Sequence, residues 1–148
     1  MTIEQISTDS PDYDKDVWQL RETVLRIPLG LSLKNEDLSR DKTNTIFIAK
    51  TDNKIVGCVF LEPKSDTEIQ LRAMAVYPEW QNKGVGRKLV LAAEKYAYRQ
   101  GFETIILHAR KIATGFYESM GYHITGDEFT EVGIPHFMMG KDRKNFNH

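Results

Sequence analysis

Between Thr45 and Val76 the chain holds three apolar runs in quick succession, TIFIAK, KIVGCVFLEP and TEIQLRAMAV. Short runs rich in Ile, Val and Phe, separated by turn residues, form β-strands rather than helices. Asp52 and Asn53 fall between the first two runs, so these form a hairpin. The middle run is apolar on both faces, with Ile55, Val59 and Leu61 on one and Val56, Cys58 and Phe60 on the other. A strand buried on both faces lies centrally in its sheet. The third run alternates through residues 69–72, is apolar throughout 73–76, and is ended by Pro78. Whatever else the chain builds must cover both faces of this sheet.

Two helical patterns supply the cover. In SPDYDKDVWQLRETVLRI, Val17, Leu20, Val24 and Ile27 recur at spacings of three and four, with Pro11 and Asp12 suited to a helix start. A second helix is expected over 84–100, with Val85, Leu89, Ala92, Ala93 and Tyr96 as its buried stripe and Gly101 as its stop. Between the first helix and the strands, PLGLSLKNEDLSRDKTN reads as a loop with a short helical turn at 35–40. A long irregular stretch in a small domain is often a binding loop. TIEQIS, TIILHA, YHITGDEF and IPHFMMGK read as further strands, RKIATGFYESM as a short helix ended by Gly121, and DRKNFNH as a frayed tail. The order β-α-loop-β-β-β-α-β-α-β-β gives an α/β class: a mixed central β-sheet flanked by helices, one domain over residues 1–148.

Charge narrows the function. Twenty cations against 21 anions leave a net charge of -1, so a general nucleic-acid binder is not expected. No apolar run approaches the roughly 20 residues that span a bilayer, and the N-terminal segment does not read as a signal peptide, so no membrane role is expected either. Cys58 is the only cysteine; it cannot form an internal disulfide and reads as a small buried hydrophobe, consistent with a reducing, cytoplasmic setting. No metal site is expected.

One local basic site stands out, QNKGVGRKL at residues 81–89. It is not a Walker A loop, which needs G-x-x-x-x-G-K-[ST]. It is not the dinucleotide fingerprint, because Leu89 stands where the third glycine belongs. What remains is a strand, a turn and a helix start. The first N–H groups of a helix lack internal partners, the dipole favours an anion there, and Gly84 and Gly86 allow close approach. With Lys83, Arg87 and Lys88 nearby, the stretch can cradle a pyrophosphate, or it can be a solvated helix start.

QNKGVG fits the (Q/R)-x-x-G-x-(G/A) signature of the GNAT superfamily of N-acetyltransferases, and it resembles that family in position, between an apolar strand and the long helix. TGFYESMGY, at 114–122, is similar to the family's F-Y-x-x-x-G-(F/Y) block, and EFTEVGIPHFMM resembles the ElaA-like bacterial branch. The resemblance spans about residues 54–141 and implies a GNAT-like fold with a splayed strand pair. It implies acetyl-CoA as acyl-donor co-substrate, with no metal. Pyrophosphate contacts would then come from Gln81, Asn82, Lys83, Gly84, Val85, Gly86 and Arg87, and pantetheine would add along Met74, Ala75 and Val76, with room left by Ala73 and Ala75. Phe116 would join the cofactor site.

The implied reaction is direct attack of an amine on the thioester. Tyr117 would protonate the leaving thiolate, or it is one more core residue in a stripe of Ile112, Ala113, Phe116, Tyr117 and Met120. Relatives that carry a base on the strand before the cradle have Glu there, whereas Gln70 and Arg72 hold the inner positions here. His108 and His136 are the candidate bases; Glu128 and Glu131 could act through water, and a water chain alone would serve. The acceptor site should comprise the first helix, its following loop and residues 127–131, where Arg21 and Arg26 either meet an anionic group or are solvated helix cations. The acceptor is read as a small-molecule amine. A protein lysine or N-terminus, and a non-catalytic acyl-CoA-binding module, are the alternatives. A homodimer is possible through IPHFMMG, although a core strand is the favoured reading of that segment.

Overall fold

The computed structural model describes residues 1–148. Strands β1 (Thr2–Ile6), β2 (Thr45–Thr51), β3 (Lys54–Pro63), β4 (Glu68–Val76), β5 (Thr104–Arg110), β6 (His123–Ile124), β7 (Phe129–Glu131) and β8 (Ile134–Asp142) form one sheet. Its order is β1-β2-β3-β4-β5-β8-β6, with β7 also on β8. Every pairing is antiparallel except β4–β5. That parallel pair needs a crossover, which helix α2 (Val85–Arg99) supplies. No helix is long and apolar enough to cross a membrane.

The β2–β3 hairpin turns at Asp52 and Asn53, both at positive φ, as a tight hairpin turn requires. β3 is buried from Ile55 to Glu62 and lies between β2 and β4. Its faces divide differently from a strict alternation. Ile55, Cys58 and Phe60 join one core, and Val56, Val59 and Leu61 the other. The cause is a register shift: Ala49 pairs with Gly57 but Lys50 pairs with Ile55, so Val56 is an extra residue and the parity changes there.

The first helix, α1, is continuous but irregular. Wide π turns at Tyr13–Val17 and Glu22–Arg26 flank an α turn at Trp18–Arg21. Val17 and Leu20 seal the smaller core against Ile46, Ile48 and Phe60. The loop that follows carries short helical turns at Leu33–Asn35 and Ser39–Thr43, which flank rather than fill the expected segment.

On the opposite face α2 buries Val85, Leu89, Val90, Ala93 and Ala97. Full burial of each larger side chain stabilises by about 1.5–3 kcal/mol. Ala92 and Tyr96, expected in the stripe, are only partly buried. Glu94 takes a core position instead, fully buried, where it meets Lys141 Nζ at 2.9 Å, the Tyr122 hydroxyl at 3.0 Å and the Asn147 N–H at 2.8 Å. The C-terminal segment is therefore fastened rather than frayed. Phe146 is buried, and Arg143 donates to the Tyr98 carbonyl at 2.7 Å.

Candidate active site

β4 and β5 pair only from Glu68↔Thr104 to Leu71↔Leu107. Beyond that point β5 continues against β8, His108 to Arg110 opposite Met138 to His136. The β5-facing edge of β4 over residues 72–76 thus has no strand upon it. A bulge drives the divergence. Cys58 pairs with Ala75 and Phe60 with Arg72, so Val59 faces two residues. Ala73 takes φ +52°, and bulges of this kind increase local twist. The Cys58 thiol donates to the Ala73 carbonyl at 3.4 Å, and burial pushes its pKa up to about 12, so it stays an inert thiol that braces the bulge.

The splay opens into a cleft of about 960 Å³. Helix α2 starts at its floor. Gly84 caps the helix at φ +83° and Asn82 precedes it at φ +60°. The first helical bond is Lys88 N–H to the Gly84 carbonyl, so the N–H groups of residues 82–87 have no acceptor in the chain. Gly86 meets the Phe116 ring closely: a Cβ there would lie 3.3 Å from Phe116 Cζ. Gln81 turns its amide onto the Val76 carbonyl at 2.9 Å and so joins the end of β4 to the cradle.

Of the residues expected at the cofactor site, Met74, Val76, Gln81, Asn82, Gly84, Val85, Gly86, Arg87 and Phe116 border the cleft. The Ala75 and Lys83 side chains do not: Ala75 is packed in the α1-side core, and the Lys83 ammonium sits 5.2 Å above the Trp80 ring. The expected core stripe around Tyr117 is also different. Ile112 is 93% exposed and Phe116 37%, and both form apolar walls of the cleft. They precede and begin helix α3 (Thr114–Ser119), whose short turn directs only Tyr117 and the following Met120 inward.

Tyr117 is buried between Phe116 and Tyr122, 5.0 and 5.9 Å away ring to ring, and borders the cleft. Its hydroxyl has no hydrogen-bond partner in the protein, and burial raises its pKa above the ordinary phenol value. A neutral phenol can give up its proton but cannot serve as a general base.

His108 and His136 reach the cleft from β5 and β8 as diagonal neighbours on one face of the β5–β8 pair, with His108 opposite Met138 and His136 opposite Arg110. His108 Nδ1 lies 2.9 Å from Glu131 Oε1, and His136 Nδ1 lies 3.0 Å from the Ile134 carbonyl. Glu128 instead pairs with Lys111 at the surface, 2.8 Å apart.

The opposite wall is cationic. Seven Arg and Lys side chains border the cleft against two carboxylates, Glu36 and Glu131. Arg21 is not a solvated helix cation: it is 2% exposed, stacks 4.5 Å over the Phe60 ring, and bonds Asp41 at 2.9 Å. Asp41 is fully buried and also receives Arg72 at 2.8 Å and the Tyr13 hydroxyl at 2.6 Å. Burial alone would raise the Asp41 pKa, but these donors outweigh it and hold the carboxyl below its usual range. One carboxylate thus serves two guanidiniums, and Arg21 Nε is left buried without a partner. Nearby, Arg26 uses Glu36 in a two-pronged pair at 2.6 and 3.1 Å. Arg110 has no carboxylate and donates only to the Leu25 carbonyl, the same oxygen that receives Arg26 Nη1. Arg72 and Arg110 were not among the residues expected to act; the i, i+2 spacing of Arg110 from His108 on one strand face was the available signal.

A splayed parallel pair, a glycine-bearing helix start beneath it and a tyrosine on the following short helix thus meet at one cleft. The chain belongs to the GNAT acetyltransferase family, whose domain profile matches residues 31–143. Among similar proteins, YyaT of Bacillus subtilis is 33% identical over 73 residues, covering 49% of each chain. The chain spans about half the length of the first curated relatives it matches. The crystal structure of Escherichia coli ElaA superposes with a TM-score of 0.84 at 18% identity, over 96% of this chain and 100% of that one. An aminoglycoside 6'-N-acetyltransferase complexed with coenzyme A superposes with a TM-score of 0.81 at 18% identity, over 97% of each. At such identities the likeness is one of fold.

Proposed function

We propose that this protein transfers the acetyl group of acetyl-CoA to the amine of a small molecule that also carries an anionic group. The observation that carries the reading is continuity: unpartnered N–H groups at residues 82–87 lead directly into the unpaired edge of β4. A pyrophosphate accepts from the first, and an amide-bearing pantetheine arm completes the second as an added strand. A coenzyme A complex among the structural neighbours supports the same donor.

The roles follow from position. Phe116 and Ile112 wall the slot for the arm. His136 or His108 takes the proton of the acceptor ammonium, freeing the lone pair that attacks the thioester carbonyl. Tyr117 gives its proton to the departing thiolate. Each transfer of this kind contributes roughly 10²–10⁴-fold. At the acceptor end, Arg110 and the Arg21–Asp41–Arg72 cluster offer more positive charge than the protein neutralises, which suits a carboxylate or phosphate. A polycation such as an aminoglycoside would meet like charge there, so the likeness in fold to that enzyme does not extend to the acceptor.

Calorimetric titration with acetyl-CoA, with CoA and ATP as controls, tests the donor. Micromolar binding of acetyl-CoA and CoA but not ATP is expected. A free-thiol release screen over amino acids, amino phosphates, polyamines, aminoglycosides and lysine peptides then tests the acceptor. Turnover confined to polyamines or peptides would replace the small anionic amine.

A further inference from the structure

Glu131 ends the short strand β7, in a hairpin whose partner strand carries His136. The turn between them is Val132–Gly133, both at positive φ, +46° and +78°. Glycine and asparagine suit such a turn, whereas a β-branched residue is a conformational outlier there. Strain of this kind costs on the order of 1–3 kcal/mol and persists where the surrounding structure imposes it, often at functional sites. Here it places the Val132 side chain on the cleft and the Glu131 carboxylate between two imidazoles.

The hydrogen bonds define the tautomers. A carboxylate only accepts, so the 2.9 Å contact between Glu131 Oε1 and His108 Nδ1 requires the proton on His108 Nδ1. The Ile134 carbonyl likewise requires it on His136 Nδ1. In the neutral form each ring therefore presents an Nε2 lone pair. His136 Nε2 lies 3.7 Å from the second Glu131 oxygen, and the Phe129 ring packs against both imidazoles at 5.2 and 5.8 Å.

We propose that Glu131 is a positioning residue: one carboxylate oxygen fixes His108 in the Nδ1–H tautomer, and the other faces His136 Nε2 to stabilise the imidazolium formed when His136 accepts the acceptor's proton. The proton balance is simple. The acceptor ammonium loses one proton to His136 Nε2 and the neutral amine attacks; as the tetrahedral intermediate collapses and the C–S bond breaks, the second proton shed by the nitrogen replaces the one Tyr117 gives to the thiolate, and His136 later releases the first to solvent through the open side of the cleft, where Glu131 is 45% exposed. The proposal rests on the acetyltransferase reading for its kinetic part and not for its tautomer part.

The first test needs no substrate. Nitrogen-15 NMR of the free protein should show His108 as the Nδ1–H tautomer in the wild type, and Glu131→Ala should convert it to mixed or Nε2–H form. An Nε2–H ring in the wild type, or an unchanged spectrum in the variant, overturns the proposal. The second test uses the acceptor found in the thiol-release screen. Glu131→Gln should lower kcat at least tenfold, change acetyl-CoA affinity less than twofold, and be partly rescued in Glu131→Asp. Unchanged kcat in Glu131→Gln overturns the positioning role, whereas loss of acetyl-CoA binding in the wild type would overturn the acetyltransferase reading and leave the tautomer result standing.

Discussion

The Arg110 guanidinium donates to the Leu25 carbonyl across 3.2 Å, although the two residues are 85 positions apart in the chain. The contact closes the end of the cleft proposed for the acceptor by tying β5 to the end of α1. It also leaves Arg110 without a carboxylate, while burial, and Arg26 beside it, lower its pKa. An anion docking there would relieve the repulsion between the two cations.

For an anionic amine acceptor, Arg110→Ala should therefore raise the acceptor KM by 10–100-fold, the range expected for loss of a charge-assisted contact of about 1.5–3 kcal/mol. Acetyl-CoA affinity should change less than twofold. Steady-state kinetics and calorimetry together check this; an unchanged acceptor KM would move the anion site elsewhere.

Tyr117→Phe keeps the ring packing and removes only the hydroxyl. Turnover should fall by about 10²-fold or more, as expected when a positioned acid is lost, with acetyl-CoA binding intact. The measurement is kcat against calorimetric Kd. Equal turnover would return Tyr117 to a purely packing role.

Gly84→Val should cost the cradle. Position 84 needs φ +83°, which a β-branched residue resists, although no neighbouring atom would crowd the new Cβ. The strain falls on the first turn of α2, so acetyl-CoA affinity should drop at least tenfold while the circular-dichroism spectrum stays that of the folded protein. Calorimetry reads the first and far-ultraviolet dichroism the second.

Glu94→Ala leaves the Lys141 ammonium buried, held only by the Met120 carbonyl at 2.7 Å. Breaking a buried pair from one side typically costs 3–5 kcal/mol, so a loss of about that size is expected in urea unfolding. Replacing both partners by apolar residues should cost less than Glu94→Ala alone.

Acid should weaken the fold through Glu62. Its pairing with Arg40, at 2.6 and 3.0 Å, lowers its pKa from 4.5 to about 2. Because the folded value is the lower one, the stabilisation is complete above pH 4.5 and is lost as pH falls towards 2. Arg40 is half exposed, so the effect should be only roughly 1–2 kcal/mol after solvent screening. Glu62→Gln should flatten that part of the stability profile measured by thermal unfolding.

Much of this architecture is written locally. The hairpin at Asp52–Asn53, the doubly buried β3, the glycine-started α2 and the stop at Gly101 all follow from patterns a few residues long. The glycine turn that opens α2 was legible for the same reason. The two bulges were not, because Val56 and Ala73 are ordinary strand residues whose displacement depends on the neighbouring strand. Neither was the burial of Arg21, since its counterion Asp41 comes from a polar loop 20 residues on. Glu131 could be noted as acidic, but its place between two histidines depends on the pairing of β5 with β8.

The buried Glu94 also imposes an order in time. Two of its partners, Lys141 and Asn147, lie 47 and 53 residues downstream. At ribosomal rates of about 5–20 residues per second, the helix that carries Glu94 exists for roughly 2–10 s before either partner is made. Until then the helix cannot take its final seat without stranding a charge. The floor of the cleft is therefore one of the last parts of the molecule to mature, although its glycines emerge little past the middle of the chain.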